Sequence, residues 1–182
     1  MAEMARRPAL AGRFASSPIA TVAPAPTASR LSLRAPQASR GALAKALGVA
    51  FADRPNSSFV SGKRAALWLG PDEWLLLDES GVDMAALCRP VAALHSAVDI
   101  SHRNVGIVIT GIGAEAVISA GCPRNLDLDA FPTGACARTL LGKVEIVLWR
   151  KAPDAFRVEV WRSFSDYAFA YLEAAARDTG LI

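Results

Sequence analysis

The sequence predicts an α+β fold: two ferredoxin-like βαββα modules related by a pseudo-twofold repeat, with mixed or antiparallel sheets. Three observations carry the prediction. Stretches with strand-like alternation and stretches with helical three-and-four spacing follow one another in the order strand, helix, strand, strand, helix. That order occurs twice. A Gly-Lys pair, first Gly62-Lys63 and then Gly142-Lys143, leads the hairpin in both copies. The expected organisation is a flexible basic N-terminal arm over 1–29, a first module over 30–96 and a second over 97–182, each module covering the other's apolar face.

The elements follow in order. Leu31 and Leu33 alternate with Ser32 and Arg34 as in a half-buried strand, which Pro36 ends. A helix comes next, with Leu43, Ala46 and Leu47 on one face and Gly48 near its end. After the turn-rich run at 53–58, residues 63–69 read as a strand, Gly70-Pro71-Asp72 as a turn and 73–77 as the returning strand. Met84, Leu87, Cys88, Val91 and Leu94 then share one helical face. In the second copy, 98–110 is strand-like, 113–120 helical, 139–149 a strand, Pro153-Asp154 a turn and 156–161 another strand. A closing helix over 165–177 builds its face from Tyr167, Phe169, Ala170, Leu172 and Ala176.

Composition narrows the function classes. The 182 residues are 52% hydrophobic with a net charge of +3, too apolar for disorder throughout and long enough to bury a substantial core. Residues 1–52 carry seven basic side chains against Glu3 alone, whereas 53–182 carry thirteen basic against sixteen acidic. The basic character sits in the opening stretch, and the mildly acidic body opposes a nucleic-acid partner, which needs Lys and Arg concentrated on one folded face. No apolar run of about 18 residues occurs, so neither a membrane span nor a membrane partner is expected. Cys88, Cys122 and Cys136 form an odd set without a C-x-x-C pair, which suggests neither a disulfide framework nor a zinc clip and points to a reducing cytoplasm. The first thirty residues have the Arg-, Ala- and Ser-rich composition of a transit peptide, but Pro8, Pro18, Pro24 and Pro26 interrupt the helix such a peptide needs. A partner-wrapping arm is the preferred reading, ahead of a solvated tail.

Candidate chemistry is sparse. The strand Ile107-Val108-Ile109-Thr110 runs into Gly111-Ile112-Gly113-Ala114-Glu115-Ala116, a G-x-G-x-x-A pattern whose glycines would let a backbone approach a pyrophosphate. The second parallel strand and its terminal acid are missing, because 126–132 reads as a proline-ended loop, so a plain strand-to-helix turn is preferred. Asp99-Ile100-Ser101-His102-Arg103 gathers an acid, a hydroxyl and an imidazole. On a strand, Asp99, Ser101 and Arg103 would face away from His102, which opposes a local Ser-His pair. His95 and His102 are the chain's two histidines, too few for a histidine-rich metal site. Cys122 and Cys136 lack an activating neighbour in sequence. Trp68, Trp74, Trp149 and Trp161 are expected to divide between core and a contact surface, because Trp is enriched at interface hot spots. No catalytic set, cofactor-binding set or metal site is assigned, and the pattern points to an α+β binding or assembly protein.

Several separated motifs, in order, resemble one family. Trp68-Leu69-Gly70-Pro71-Asp72-Glu73-Trp74, Val98-Asp99-Ile100-Ser101-His102-Arg103-Asn104, Ala120-Gly121-Cys122-Pro123, the run from Phe131 to Lys143, and Val158-Glu159-Val160-Trp161-Arg162-Ser163-Phe164 are similar to the gamma subunit of heterotetrameric sarcosine oxidase. The Asp-x-Ser-His-Arg and Leu-Gly-Pro-Asp-Glu segments are also similar to the folate-binding domain of glycine-cleavage aminomethyltransferases, and the match begins only near Arg30. The resemblance implies a cytoplasmic complex with alpha, beta and delta subunits that demethylates sarcosine to glycine, giving hydrogen peroxide and formaldehyde or methylenetetrahydrofolate. It places FAD, FMN, NAD, tetrahydrofolate and zinc on the other subunits and makes this chain a structural, non-catalytic one with a folate-domain-like fold. A stand-alone folate-binding protein is the alternative.

Overall fold

The computed structural model describes residues 8–180, which form eleven strands and four α-helices. In chain order these are β1 (Ala15–Ser16), β2 (Thr21–Pro24), β3 (Ser29–Arg34), α1 (Arg40–Leu47), β4 (Ser58–Ser61), β5 (Arg64–Gly70), β6 (Glu73–Asp78), α2 (Met84–Cys88), β7 (Ser96–Asp99), β8 (Asn104–Thr110), α3 (Ala114–Ser119), β9 (Cys136–Leu141), β10 (Val144–Ala152), β11 (Ala155–Trp161) and α4 (Ser165–Thr179). The strands make a six-stranded sheet, β1-β2-β8-β11-β10-β9, and a five-stranded sheet, β4-β5-β6-β3-β7. Every pairing in both is antiparallel.

Alternation along the strands sorts side chains into layers. Leu31, Leu33, Ala66, Trp74 and Leu76 of the smaller sheet pack with Leu43, Leu47, Met84 and Cys88 of α1 and α2. On its other face Ala65, Leu67, Leu75 and Leu77 meet Cys136, Val147 and Trp149 of the larger sheet. The far face of the larger sheet, with Ile107, Ile146, Phe156 and Val158, is covered by Val117, Ile118, Phe169 and Leu172 of α3 and α4. The order of layers is helices, sheet, sheet, helices. A strand covered on both sides loses its polar alternation, which is why Trp74-Leu75-Leu76-Leu77 is an unbroken apolar run.

The α+β class holds, and the sheets are antiparallel rather than mixed. The stretch 30–96 contains one strand more than βαββα, and the stretch 97–182 contains two more, β7 and β9. The Gly-Lys pairs do not precede a hairpin but turn one: Gly62 joins β4 to β5 and Gly142 joins β9 to β10, both at φ 57. Glycine takes that left-handed conformation without a Cβ penalty. The expected strand over 98–110 is two strands in different sheets, broken at 100–103. The helix expected to reach Leu94 stops at Cys88, ahead of Pro90, whose ring denies a helix interior its N–H. Leu94 is 77% exposed as a result.

The opening stretch differs most. Residues 8–29 are not a free arm. The β1–β2 hairpin adds to the edge of β8, with Thr21 opposite Thr110 and Val22 opposite Ile109, and Leu10, Ala20 and Val22 are buried in the core. Residues 1–7 of the expected arm lie outside the described residues. β7 makes the converse crossing and pairs with β3, so each sheet takes an edge strand from the part of the chain that precedes the other.

Candidate functional site

The cleft between the sheets is closed at one end by charge. Arg30 of β3 donates from Nε and Nη2 to Glu159 of β11 at 2.5 and 3.2 Å. Arg157 donates from Nε to the same carboxylate at 2.8 Å and from Nη1 to Glu79 at 2.6 Å. Arg30, Arg157 and Glu159 are all buried. Room for this pair exists because residue 106, opposite Glu159 on β8, is glycine: a Cβ there would lie 2.8 Å from Glu159 Oε1 and 2.8 Å from the Ala25 side chain. Of these charged residues, Glu159 alone falls within a run that carries the family resemblance, and none stands out in the sequence as a buried charge. Arg157 and Glu159 alternate with Phe156, Val158 and Val160 as a solvent face would, and the local signal available was an opposite-charge pair two residues apart on a strand.

The Asp-x-Ser-His-Arg motif fastens the same region. The strand ends at Asp99, so 100–103 is a turn and strand alternation does not govern it. Asp99 Oδ1 accepts from the Ser101 amide at 2.7 Å, and Ser101 Oγ accepts from the Arg30 amide at 2.8 Å. Hydrogen bonds from Ser101, with a smaller contribution from the charge of His102, hold the Asp99 carboxyl below its ordinary pKa. The motif is a clasp that ties β3 to the start of β8. It turns His102 and Arg103 out to solvent, and the guanidinium of Arg103 lies over the Trp161 ring at 5.3 Å.

The other end of the cleft is open. Cys136, Val147 and Trp149 of the larger sheet are buried against the smaller one, but Leu140, Glu145 and Trp161 on the same face are exposed, because the larger sheet runs on past its partner. An opening of ≈ 150 Å³ lies there, lined by Glu73, Ile100, Arg103, Arg138, Glu145 and Trp161. Arg138 bridges it, donating to Glu73 at 2.6 Å and reaching Glu145 at 3.6 Å. Hydrogen bonding to Glu73 raises the Arg138 pKa further. Trp161 stacks on Phe164 with centroids 6.3 Å apart, and the hydroxyl of Tyr167, the next helical turn on, accepts from the Lys143 amide at 3.2 Å.

The remaining candidates take structural roles. Gly111 and Gly113 make way for the opening segment rather than a ligand. A Cβ on Gly113 would sit 2.5 Å from Ile19 Cδ1, one on Gly111 would run into the Ile19 carbonyl, and the Gly113 amide donates to that carbonyl at 2.9 Å. Because β8 is flanked by antiparallel β2 and β11, the dinucleotide reading fails on topology as well. Cys136 donates to the carbonyls of Ser57 and Trp68, and burial pushes its pKa up to about 12, which silences it as a nucleophile. Cys122 is buried beside Thr139, and burial also raises Cys88. Trp74 is fully buried, Trp149 is buried with its Nε1 donating to Ser58 Oγ at 3.0 Å, and Trp68 is half-buried, which leaves Trp161 as the surface tryptophan. His95 contacts the Ala93 carbonyl. Among the described residues, no group of three or more His, Cys, Asp or Glu is placed to hold a metal.

Comparison with known proteins places this arrangement. The model of the sarcosine oxidase gamma subunit family matches residues 34–178. The chain belongs to that family. The gamma subunits of sarcosine oxidase from Corynebacterium sp. (strain P-1) and from an Arthrobacter species are each 30% identical to it, and each alignment covers 80% of this chain and 74% of the relative. A chain of the heterotetrameric sarcosine oxidase from Corynebacterium sp. U-96 superposes with a TM-score of 0.84 at 25% identity, over 94% of this chain and 91% of that one. The glycine-cleavage aminomethyltransferase T of Bartonella henselae shares the fold, with a TM-score of 0.64 at 11% identity over 88% of this chain and 50% of that one. In this gamma-family chain, the hydroxyl and thiols singled out from sequence are engaged by backbone or by Thr139. The open cleft presents aromatic faces and guanidinium groups, which suit binding by stacking and charge.

Proposed function

We propose that this chain is the gamma subunit of a heterotetrameric sarcosine oxidase and serves its assembly, contacting alpha, beta and delta subunits and leaving the chemistry to them. The observation that carries this reading is the superposition, nearly end to end, on a chain of the Corynebacterium complex. In this reading the complex demethylates sarcosine oxidatively to glycine, and FAD, FMN, NAD, tetrahydrofolate and zinc reside on the other subunits. The engaged state of Ser101, Cys122 and Cys136 supports a non-catalytic role for this chain. A cytoplasmic location accords with the absence, among the described residues, of a helix long and apolar enough to cross a membrane.

The two halves, 30–96 and 97–182, are further proposed as modules related by a pseudo-twofold axis. In support, the strand order β4-β5-β6-β3 in one sheet corresponds to β9-β10-β11-β8 in the other.

The test is co-expression of the oxidase subunits with and without this chain. Sarcosine-dependent hydrogen peroxide production and a flavin-coloured complex containing this chain are expected in the full set, with no activity from the isolated chain. A full set that assembles and turns over without incorporating it would refute the proposal.

A further inference from the structure

Resting on the reading of this chain as an oxidase subunit, we infer that the outer edge of β7 is a strand-addition site, where an extended segment of a partner subunit pairs and sets an apolar side chain beside Val98 and a basic one beside Asp99. Taken from their β9 and β4 ends, the sheets run β9-β10-β11-β8-β2-β1 and β4-β5-β6-β3-β7. The larger sheet adds β1 outside β2, and the place outside β7 is vacant. The bond from the Ile100 amide to the Arg30 carbonyl fixes the phase of the β3–β7 ladder. Bonded and non-bonded pairs alternate along an antiparallel ladder, so Ser96 and Val98 turn their main-chain groups to β3, and Ala97 and Asp99 turn theirs outward. Among the described residues, nothing bonds to those outward groups. Such a row is a template for another chain, and proteins blunt it with Lys, Pro or a bulge. β7 has none of the three, and its one charge, Asp99, is turned back on the Ser101 amide. Elsewhere, β1 is two residues long, β4 is tied through Ser57 and Ser58 to residues 134 and 135, and β9 carries Arg138.

The side chains of β7 select the occupant. Ser96 and Val98 share the cleft face with Ser32, whereas Ala97 and Asp99 share the face of Leu31 and Leu33, on the side of α1 and α2. Val98 is 53% exposed, and Leu94, just ahead of the strand, is also open to solvent, so an apolar residue opposite Val98 covers surface that this chain leaves wet. On the helix side, an opening of ≈ 310 Å³ is lined by Asp83 and Asp99. They accept from the Ala86 and Ser101 amides, and neither is paired with a lysine or arginine among the described residues. Of the bases nearby, Arg30 is held by Glu159, Arg89 lies at the far end of α2 from Asp83, and His102 is the one whose charge reaches Asp99. Two carboxylates against one imidazole favour a Lys or Arg directly across from Asp99. β7 is already extended and fixed by β3, so the ordering cost falls on the incoming segment alone.

The test uses the co-expressed complex and full-length variants whose melting temperature matches the parent chain. Amide hydrogen exchange at Ala97 and Asp99 of the unmutated chain is expected to slow at least about 10-fold on assembly, a readout that needs no variant. Ala97→Pro removes an N–H that no bond within the chain uses and is expected to weaken association about 10-fold or more. Val98→Lys, which guards the edge with a charge at a side chain already half exposed, is expected to act in the same direction. Asp99→Asn keeps an acceptor for the Ser101 amide and is expected to weaken association about 3-fold and to flatten its dependence on salt. Amides at 97 and 99 that exchange as fast in the complex as in the isolated chain overturn the site while leaving the subunit assignment standing, and so does parent-like association of both Ala97→Pro and Val98→Lys. Equal or tighter binding by Asp99→Asn overturns the basic side chain of the segment. Dimerisation of the isolated chain through β7 would make a second copy the occupant and overturn the proposal. Failure of the parent chain to join the complex overturns both this inference and the proposed function.

Discussion

Glu159 holds two guanidinium groups inside the protein, and its loss leaves both without their shared counter-charge. Breaking a buried pair from one side costs about 3–5 kcal/mol, far more than an exposed bridge such as Arg34–Asp72 contributes. Glu159→Ala is therefore expected to lower the urea midpoint strongly, whereas Asp72→Ala leaves it nearly unchanged. Gly106→Ala places a methyl against the same carboxylate and against Ala25, an overpacking expected to cost about 1–3 kcal/mol by the same measurement. Asp78 adds a pH dependence. Burial opposes its ionisation, but bonds from Ser80 and from Arg64 Nε at 2.7 Å outweigh it and hold the pKa below 3.8. A carboxyl depressed in the folded state contributes stability in full above its unfolded pKa of about 4, and that contribution is lost as pH falls through the folded value. Asp78→Asn should narrow the gap in urea midpoint between about pH 6 and pH 3; an unchanged gap would show that Asp78 is not part of the acid limb.

At the scale of elements, the opening hairpin is part of the sheet. Removing residues 1–29 strips β2 from β8 and uncovers Ile107 and Ile109, so loss of the cooperative transition and aggregation are expected, not merely weaker assembly. Circular dichroism melting of the truncated chain decides this. The seat of the hairpin can be probed more finely. Gly113→Ala should destabilise by contact with the Ile19 side chain, and its cost should shrink in an Ile19→Ala background, a coupling read from a double-mutant cycle. Gly111→Ala should show no such relief, because it meets the Ile19 backbone and sits at φ 117. The opening segment was hard to read because Ala, Ser and Pro dominate it, and its strand is short. What makes Thr21–Pro24 a strand is the vacant edge of β8, which lies far along the chain.

For the whole molecule, periodicity revealed the class and most elements, because alternation and three-and-four spacing record which side of an element is dry. It could not reveal what dries it. Arg157 and Glu159 have the spacing of a wet face and are covered by a second sheet. Trp161 shares that spacing, and Leu140 shares the spacing of Arg138, yet both are left open by the end of that sheet. What separates these cases is the relative reach of two sheets, a property of no single segment. The surface tryptophan could be expected from sequence, but its identity as Trp161 could not.

The exchange of strands, the β1–β2 hairpin into the later sheet and β7 into the earlier one, also sets a timetable. A chain emerging from the ribosome releases β1 and β2 first, yet their partner β8 follows only after more than half of the sequence has been made. Until then the hairpin has no sheet to join and β3 lacks its outer neighbour. Contacts this distant in sequence close slowly, and the unpaired strands they leave behind are prone to associate with other chains. The nascent protein is thus most vulnerable midway through translation, and synthesis beside a waiting partner subunit or a chaperone would shorten that exposure.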